Sequence, residues 1–352
     1  MRAASYQKQR AWALPVLAAL VLGLALASCS FGPYDAVRAP QVLRVFGHWL
    51  GFGSVDPVQA TVVLELRLPR VALGILAGAA LGMAGAALQG LFRNALADPA
   101  LIGVSSGGAV GAVAVIVLGG TALRSLSSVL GAFALPVAAM AGGVGVTFLV
   151  YHLAKVEGRT HLTLMLLTGI ALNALAGAAI GVMVFVASDQ QIRELTFWSL
   201  GSLTKAGWVQ IGAAALFAVP AMVALPWLAR PLNALLLGEA EAFHLGVPVQ
   251  RVKKQLIFLS ATMVGATVAV CGTIGFIGLV TPHLVRLALG PDHRVVLPAS
   301  ALLGAALLLA ADIAARQLTG GFEELPIGVV TALAGAPVFL GLLLRARKKG
   351  EF

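Results

Sequence analysis

A chain of 352 residues that is 59% hydrophobic and 11% charged is no soluble domain, in which roughly a quarter of the residues carry charge. Its mean hydropathy of +0.96 and its 41 glycines describe a polytopic membrane protein with closely approaching helices. The net charge of +10, from 24 lysines and arginines against 14 acids, is spread over short loops, so it marks topology and excludes a nucleic-acid-binding face.

Apolar runs predict an all-α fold of about ten transmembrane helices, at roughly 12–31, 61–90, 100–119, 126–151, 162–187, 202–228, 255–273, 275–290, 295–315 and 325–344. Residues 1–352 form a single transmembrane domain. With both termini cytoplasmic, sixteen of the 24 basic residues fall inside. Eight fall outside: Arg38, Arg44, Arg67, Arg70, Arg124, Arg193, Lys205 and Arg316. That asymmetry obeys the positive-inside rule. Within 255–290, Gly272, Gly275 and Gly278 mark either a loop or a re-entrant break, the latter tolerated only where protein or a cavity surrounds it. A rival reading concerns the N-terminus, where Leu26-Ala27-Ser28-Cys29 has the pattern of a lipoprotein cleavage site and the first segment would be a removed signal. Cys29 and Cys271 are too few for a disulfide framework. Residues 99–103 and 325–328 each open a small-residue helix after a proline, a hint of related halves.

Gly74, Gly78 and Gly82, and after the polar hinge 93–99 Gly103, Gly107 and Gly111, lie four apart on one helical face. Small residues at that spacing let backbones approach, which is how helices associate in lipid. These six glycines are therefore predicted packing positions. None of the seven lysines follows a glycine, so the chain has no P-loop, and ATP and its magnesium belong to a separate subunit. Gly103-Val104-Ser105-Ser106-Gly107 matches the nucleophile elbow of serine hydrolases. An elbow needs a strand-to-helix turn and a histidine in reach, and helix packing is the simpler reading. No histidine precedes a glutamate, so the H-E-x-x-H metalloprotease pattern is absent. No catalytic residue, metal ligand or cofactor is expected in this chain. Five of the six histidines fall near the cytoplasmic side and His48 in an outer loop, which leaves axial ligation along a pathway unsupported.

The longest cytoplasmic connection, about 230–254, holds Pro231, Gly238, Gly246 and Pro248, which predict two short helices. Glu239 and Glu241 ahead of Arg251, Lys253 and Lys254 suit a docking surface for a soluble partner. Arg67 and Arg70 stand at the outer end of the second helix and Arg316 just outside the ninth. As plain interfacial residues they would snorkel to the headgroups.

RLPR at 67–70, Q-x-L-F-x-N-x-L-A-x-P at 89–99, G-V-S-x-G at 103–107, L-G-E-x-x-A-x-x-L-G at 237–246, G-x-I-G-F-I-G-L-x-x-P-H at 272–283 and A-D-I-x-A-R at 311–316 have counterparts in one family. The chain resembles, over essentially its whole length, the FecCD/BtuC-type permease subunits of bacterial ABC importers for iron-siderophores, haem and cobalamin. The resemblance implies a type II importer permease of the inner membrane, without ATPase activity of its own, that works by alternating access. It implies as partners a second copy of the chain, two ATP-binding cassette subunits and a periplasmic substrate-binding protein. It implies that Leu237, Gly238, Glu239, Ala242, Leu245 and Gly246 seat in a groove of the ATPase. Arg67, Arg70 and Arg316 would receive glutamates of the binding protein, a task suited to bidentate guanidinium pairing. The run at 195–203, LTFWSLGSL, is similar to that of haem permeases and points to haem, with ferric siderophores and cobalamin as alternatives. An ion-coupled secondary transporter, the competing class, would place unpaired acids mid-span, and Asp312 is its one strong candidate.

Overall fold

The computed structural model describes residues 2–32, 37–204, 207–318 and 324–348. Lys205 and Lys349, counted in the charge asymmetry, lie outside the described residues. The chain begins with α1 (Arg2–Ser30) and α2 (Ala39–Trp49), and α3 (Pro57–Thr61) runs through a π-helical turn (Val62–Arg67) into α4 (Leu68–Phe92). A 3₁₀ turn (Pro99–Ile102) then leads to α5 (Val104–Leu118), α6 (Arg124–Leu130) and α7 (Ala134–Leu153). A two-residue hairpin, β1 (Lys155–Val156) and β2 (Arg159–Thr160), precedes α8 (Leu162–Phe185) and α9 (Asp189–Ser199). Next come α10 (Trp208–Ala224), a 3₁₀ turn (Leu225–Leu228), α11 (Ala229–Leu237) and α12 (Glu239–His244). The last four helices are α13 (Val249–Cys271), α14 (Ile277–Leu289), α15 (His293–Gln317) and α16 (Ile327–Lys348).

Seven helical stretches are long and apolar enough to cross a bilayer, and three shorter apolar helices, Val104–Leu118, Ile277–Leu289 and Ile327–Gly341, correspond to the remaining runs. The sixth run differs from expectation. It starts at Trp208 and continues as helix to Leu237, because Pro231 falls in the first turn of α11, where proline removes no intrahelical bond. Two further helices, α2 and α9, lie between the apolar runs. α2 carries His48, which the sequence reading left in a loop. α9 opens on a capping box, in which Ser188 Oγ accepts from Gln191 N and Ser188 N donates to Gln191 Oε1 at 2.9 Å.

The core is centred on α4, where every residue from Leu76 to Leu91 is buried. A helix apolar all round belongs in the interior of a bundle. Its glycines explain how the neighbours come so close. A Cβ at Gly78 would collide with the Gly304 carbonyl of α15, one at Gly82 with the Ser300 carbonyl, and one at Gly74 would press on Leu309 Cδ2 at 3.0 Å. Gly107 and Gly111 stand in the same relation to the Gly142 and Ala138 carbonyls of α7, and Gly103 (φ 83) turns the chain into α5.

The connection 272–276 is a break in the bundle. α14 has 13 residues, a rise of about 20 Å, short of the roughly 30 Å hydrocarbon core. It starts at the depth of Gly85, half-way down α4, whose missing Cβ leaves room for the Gly278 carbonyl. Protein packs against one side of the break, while Gly275 is exposed. Ser202 N donates to Cys271 O at 2.8 Å, Thr273 Oγ1 donates to Ser199 O, and Gly272 abuts the Trp198 carbonyl.

Candidate functional site

Three regions carry polar chemistry. The first is at the N-terminal end of α4. Arg67 closes the π turn and is buried; its Nη1 donates to Cys29 O at 2.7 Å and Val37 O at 2.8 Å. Arg316, also buried, donates from Nη1 to Ser28 O (3.1 Å) and Phe31 O (2.6 Å) and from Nη2 to Ser28 Oγ (2.6 Å). Ser28 and Cys29 belong to the last turn of α1, whose carbonyls have no partner within the helix. Two guanidinium groups therefore cap the negative end of α1. A chain cut before Cys29 would lose the Ser28 acceptors.

Asp312, 1% exposed, is shared. Arg70 Nη2 lies 2.7 Å from its Oδ1 and Arg316 Nη2 2.8 Å from its Oδ2. Arg70 also reaches Glu324, Nη1 to Oε1 and Oε2 both at 2.8 Å. Arg70 and Arg316 thus share one carboxylate while Arg67 binds backbone carbonyls beside them, and burial and intrachain bonds hold Arg67 and Arg316 inward rather than letting them snorkel. Asp312, paired twice, is not the unpaired acid that a secondary transporter would require. Nothing in the spacing of the sequence pointed to Ser28 or Glu324.

The second region is a cavity of about 650 Å³ just below this network. Phe197 and Trp198 of α9 form an aromatic wall, Leu135 and Cys271 add apolar surface, and Arg70, Glu194 and Glu324 bring charge to its lining. The Trp198 indole N–H is buried without a hydrogen-bond partner. The G-x-S-x-G motif lies elsewhere and makes no elbow. Gly103 follows a 3₁₀ turn, and Ser106 Oγ donates to Asn173 Oδ1 of α8 at 2.5 Å and to Gly103 O at 3.1 Å.

The third region is formed by α11 and α12. α11 and α12 are separated by Gly238, whose φ of 129° and ψ of 156° only glycine adopts readily. Leu237, Phe243 and Leu245 are exposed while Ala242 is fully buried, so the segment presents an apolar outer face. Its charges are distributed otherwise than the sequence reading had them. Arg251 and Lys254 are exposed, but Lys253 is buried and its Nζ lies 2.6 Å from Glu239 Oε2. The helical register held the signal: Val249, Lys253, Ile257 and Ser260 share the buried face of α13. Asn233 of α11 is clasped by the turn before α15. Its Nδ2 donates to Asp292 Oδ1 at 2.7 Å, and its Oδ1 accepts from His293 N at 2.9 Å. Arg294 grips both oxygens of Asp292 and, with Asn233 assisting, holds that carboxyl down to about 2.

A bundle of this kind is shared with the ABC-transporter permeases. The FecCD transport family model matches residues 16–345, and the chain belongs to that family. It is 44% identical over 296 residues to the hemin transport system permease protein HmuU of Yersinia pestis, covering 84% of this chain and 87% of the relative. It is 44% identical over 304 residues to the cobalamin import system permease protein BtuC of Halobacterium salinarum, covering 86% and 79%. Among solved structures, an inward-facing ABC transporter of metal-chelate type matches with a TM-score of 0.80 at 32% identity, over 94% of this chain and 98% of the other.

Proposed function

We propose that this chain is the membrane subunit of a haem importer. Two copies form a homodimer with the substrate descending between them, two ATP-binding cassette subunits dock on α11 and α12, and a periplasmic substrate-binding protein docks at Arg70, with Arg67 and Arg316 buried behind it. Both termini lie in the cytoplasm, and ATP hydrolysis resides on the separate subunits. The observation that carries the substrate is the cavity. Its volume of about 650 Å³ is that of a site for a small organic ligand, about 300–1,000 Å³, and Phe197 and Trp198 offer flat faces on which a planar macrocycle stacks. Among the described residues no group of three His, Cys, Asp or Glu is placed to hold a bare metal ion, which favours a chelate carried whole. The likeness to the haemin permease supports the same choice. Cobalamin is the second reading, favoured by an equal likeness to a cobalamin permease.

The test is ATP-dependent uptake into proteoliposomes holding the full complex. Haem is expected to accumulate and to be transported more slowly by Trp198→Ala, whereas uptake of cobalamin or a ferric siderophore in preference to haem would overturn the choice of substrate.

A further inference from the structure

We infer that Lys253 is the positioning residue that carries movement of α12 into the membrane, by fastening α12 and the β1–β2 hairpin to one point of α13. The inference rests on the proposed docking of α11 and α12 against an ATPase and adds the path inward from it. Lysine is almost never fully buried unless paired, yet Lys253 is 1% exposed. Its ammonium, with three donors to distribute, serves two elements at once: Glu239 Oε2 of α12 at 2.6 Å and the Thr160 carbonyl of β2 at 2.8 Å. Gln250 adds a second tie to the hairpin, its Oε1 accepting from Thr160 N at 2.9 Å.

α12 has six residues and lies between two glycines at positive φ, Gly238 at 129° and Gly246 at 81°. A helix so short has no stiffness of its own in isolation, and glycines at both ends leave its direction free. The Glu239–Lys253 pair removes that freedom. A push on the exposed face of α12 is then delivered to the first turn of α13, a helix that touches α4, α5, α7 and α10.

Lys253→Met, Glu239→Gln and the double variant, with Lys253→Arg as the conservative change, are compared in the full complex in proteoliposomes. The quantity read is ATP hydrolysed per molecule imported, in complexes matched for subunit content. Lys253→Met is expected to raise that ratio severalfold, because α12 then loses its side-chain tie to α13. The double variant should be no worse than Lys253→Met, because the two residues act as one unit, and Lys253→Arg should keep a ratio near that of the unaltered chain. A lower melting temperature with an unchanged ratio per assembled complex would mean that the pair is structural only, and would overturn the inference. Should Lys253→Met fail to assemble, Glu239→Gln, at a residue 41% exposed, decides the question by itself: a raised ratio supports the inference and an unchanged one overturns it. Phe243→Asp separates the two layers. If the ATPase still co-purifies with that variant, the docking reading fails; if it is lost while Lys253→Met keeps the normal ratio, only the role of Lys253 fails.

Discussion

A methyl group added at Gly78 has nowhere to go, because the Gly304 carbonyl occupies its place. At Gly246 the space is open and only the positive φ resists a side chain. Gly78→Ala is therefore expected to cost more than Gly246→Ala, which strains the backbone by roughly 1 kcal/mol. Thermal unfolding in detergent should place Gly78→Ala well below Gly246→Ala, and the reverse order would refute backbone contact at the α4–α15 seam. The arginines separate in the same way. Arg67 and Arg316 cap α1, whereas Arg70 lines the cavity and shares an exposed partner, Glu324, that is 30% accessible. Reversing charge at Arg67 or Arg316 should lower the melting temperature and the yield of folded protein. Reversing it at Arg70 should weaken association with a binding protein, more at low salt than at high. Equal loss of affinity in all three, with folding intact, would restore a joint docking role.

Among the elements, the α14–α15 turn combines a clasp with a titratable group. Asp292 is held to about 2 by Arg294, below the ordinary carboxylate value of about 3.9. A depressed acid stabilises the folded state at pH values above its unfolded pKa, and that contribution is lost as pH falls toward about 2. Between pH 5 and 8 Asp292 itself should therefore contribute no pH dependence, and Asp292→Asn should narrow the acid stability range; an unchanged acid midpoint would count against the clasp. Most elements could be read from the sequence because apolar runs and their punctuation report burial in lipid directly. The π turn at Val62–Arg67 could not, since its extra residue leaves no mark in hydropathy, and it fixes where Arg67 points. Lys253 was misread for a related reason. Charge alone placed it on the surface, while its register with Val249 and Ile257 placed it inside.

At the scale of the whole molecule, two sets of helices meet across α13: α4 with α1, α14 and α15 on one side, and α5 with α7 and α8 on the other. Much of α8 stays uncovered, with Leu167, Ile170, Leu175 and Phe185 outward, as befits a helix facing lipid or a second copy. Which of the two it meets was never encoded in the hydropathy of a single chain, because lipid and protein look alike to an apolar side chain. The glycine seams that weld each set have a thermal consequence. Glycine has no rotamers to freeze, and helix association in lipid draws on van der Waals contact rather than on expulsion of water. Water expulsion is the source of the large heat-capacity change that weakens soluble cores on cooling. The α4–α15 seam, where Gly78 meets Gly304, lacks that term. Its free energy should vary almost linearly with temperature, so the bundle should hold together in the cold as firmly as at growth temperature.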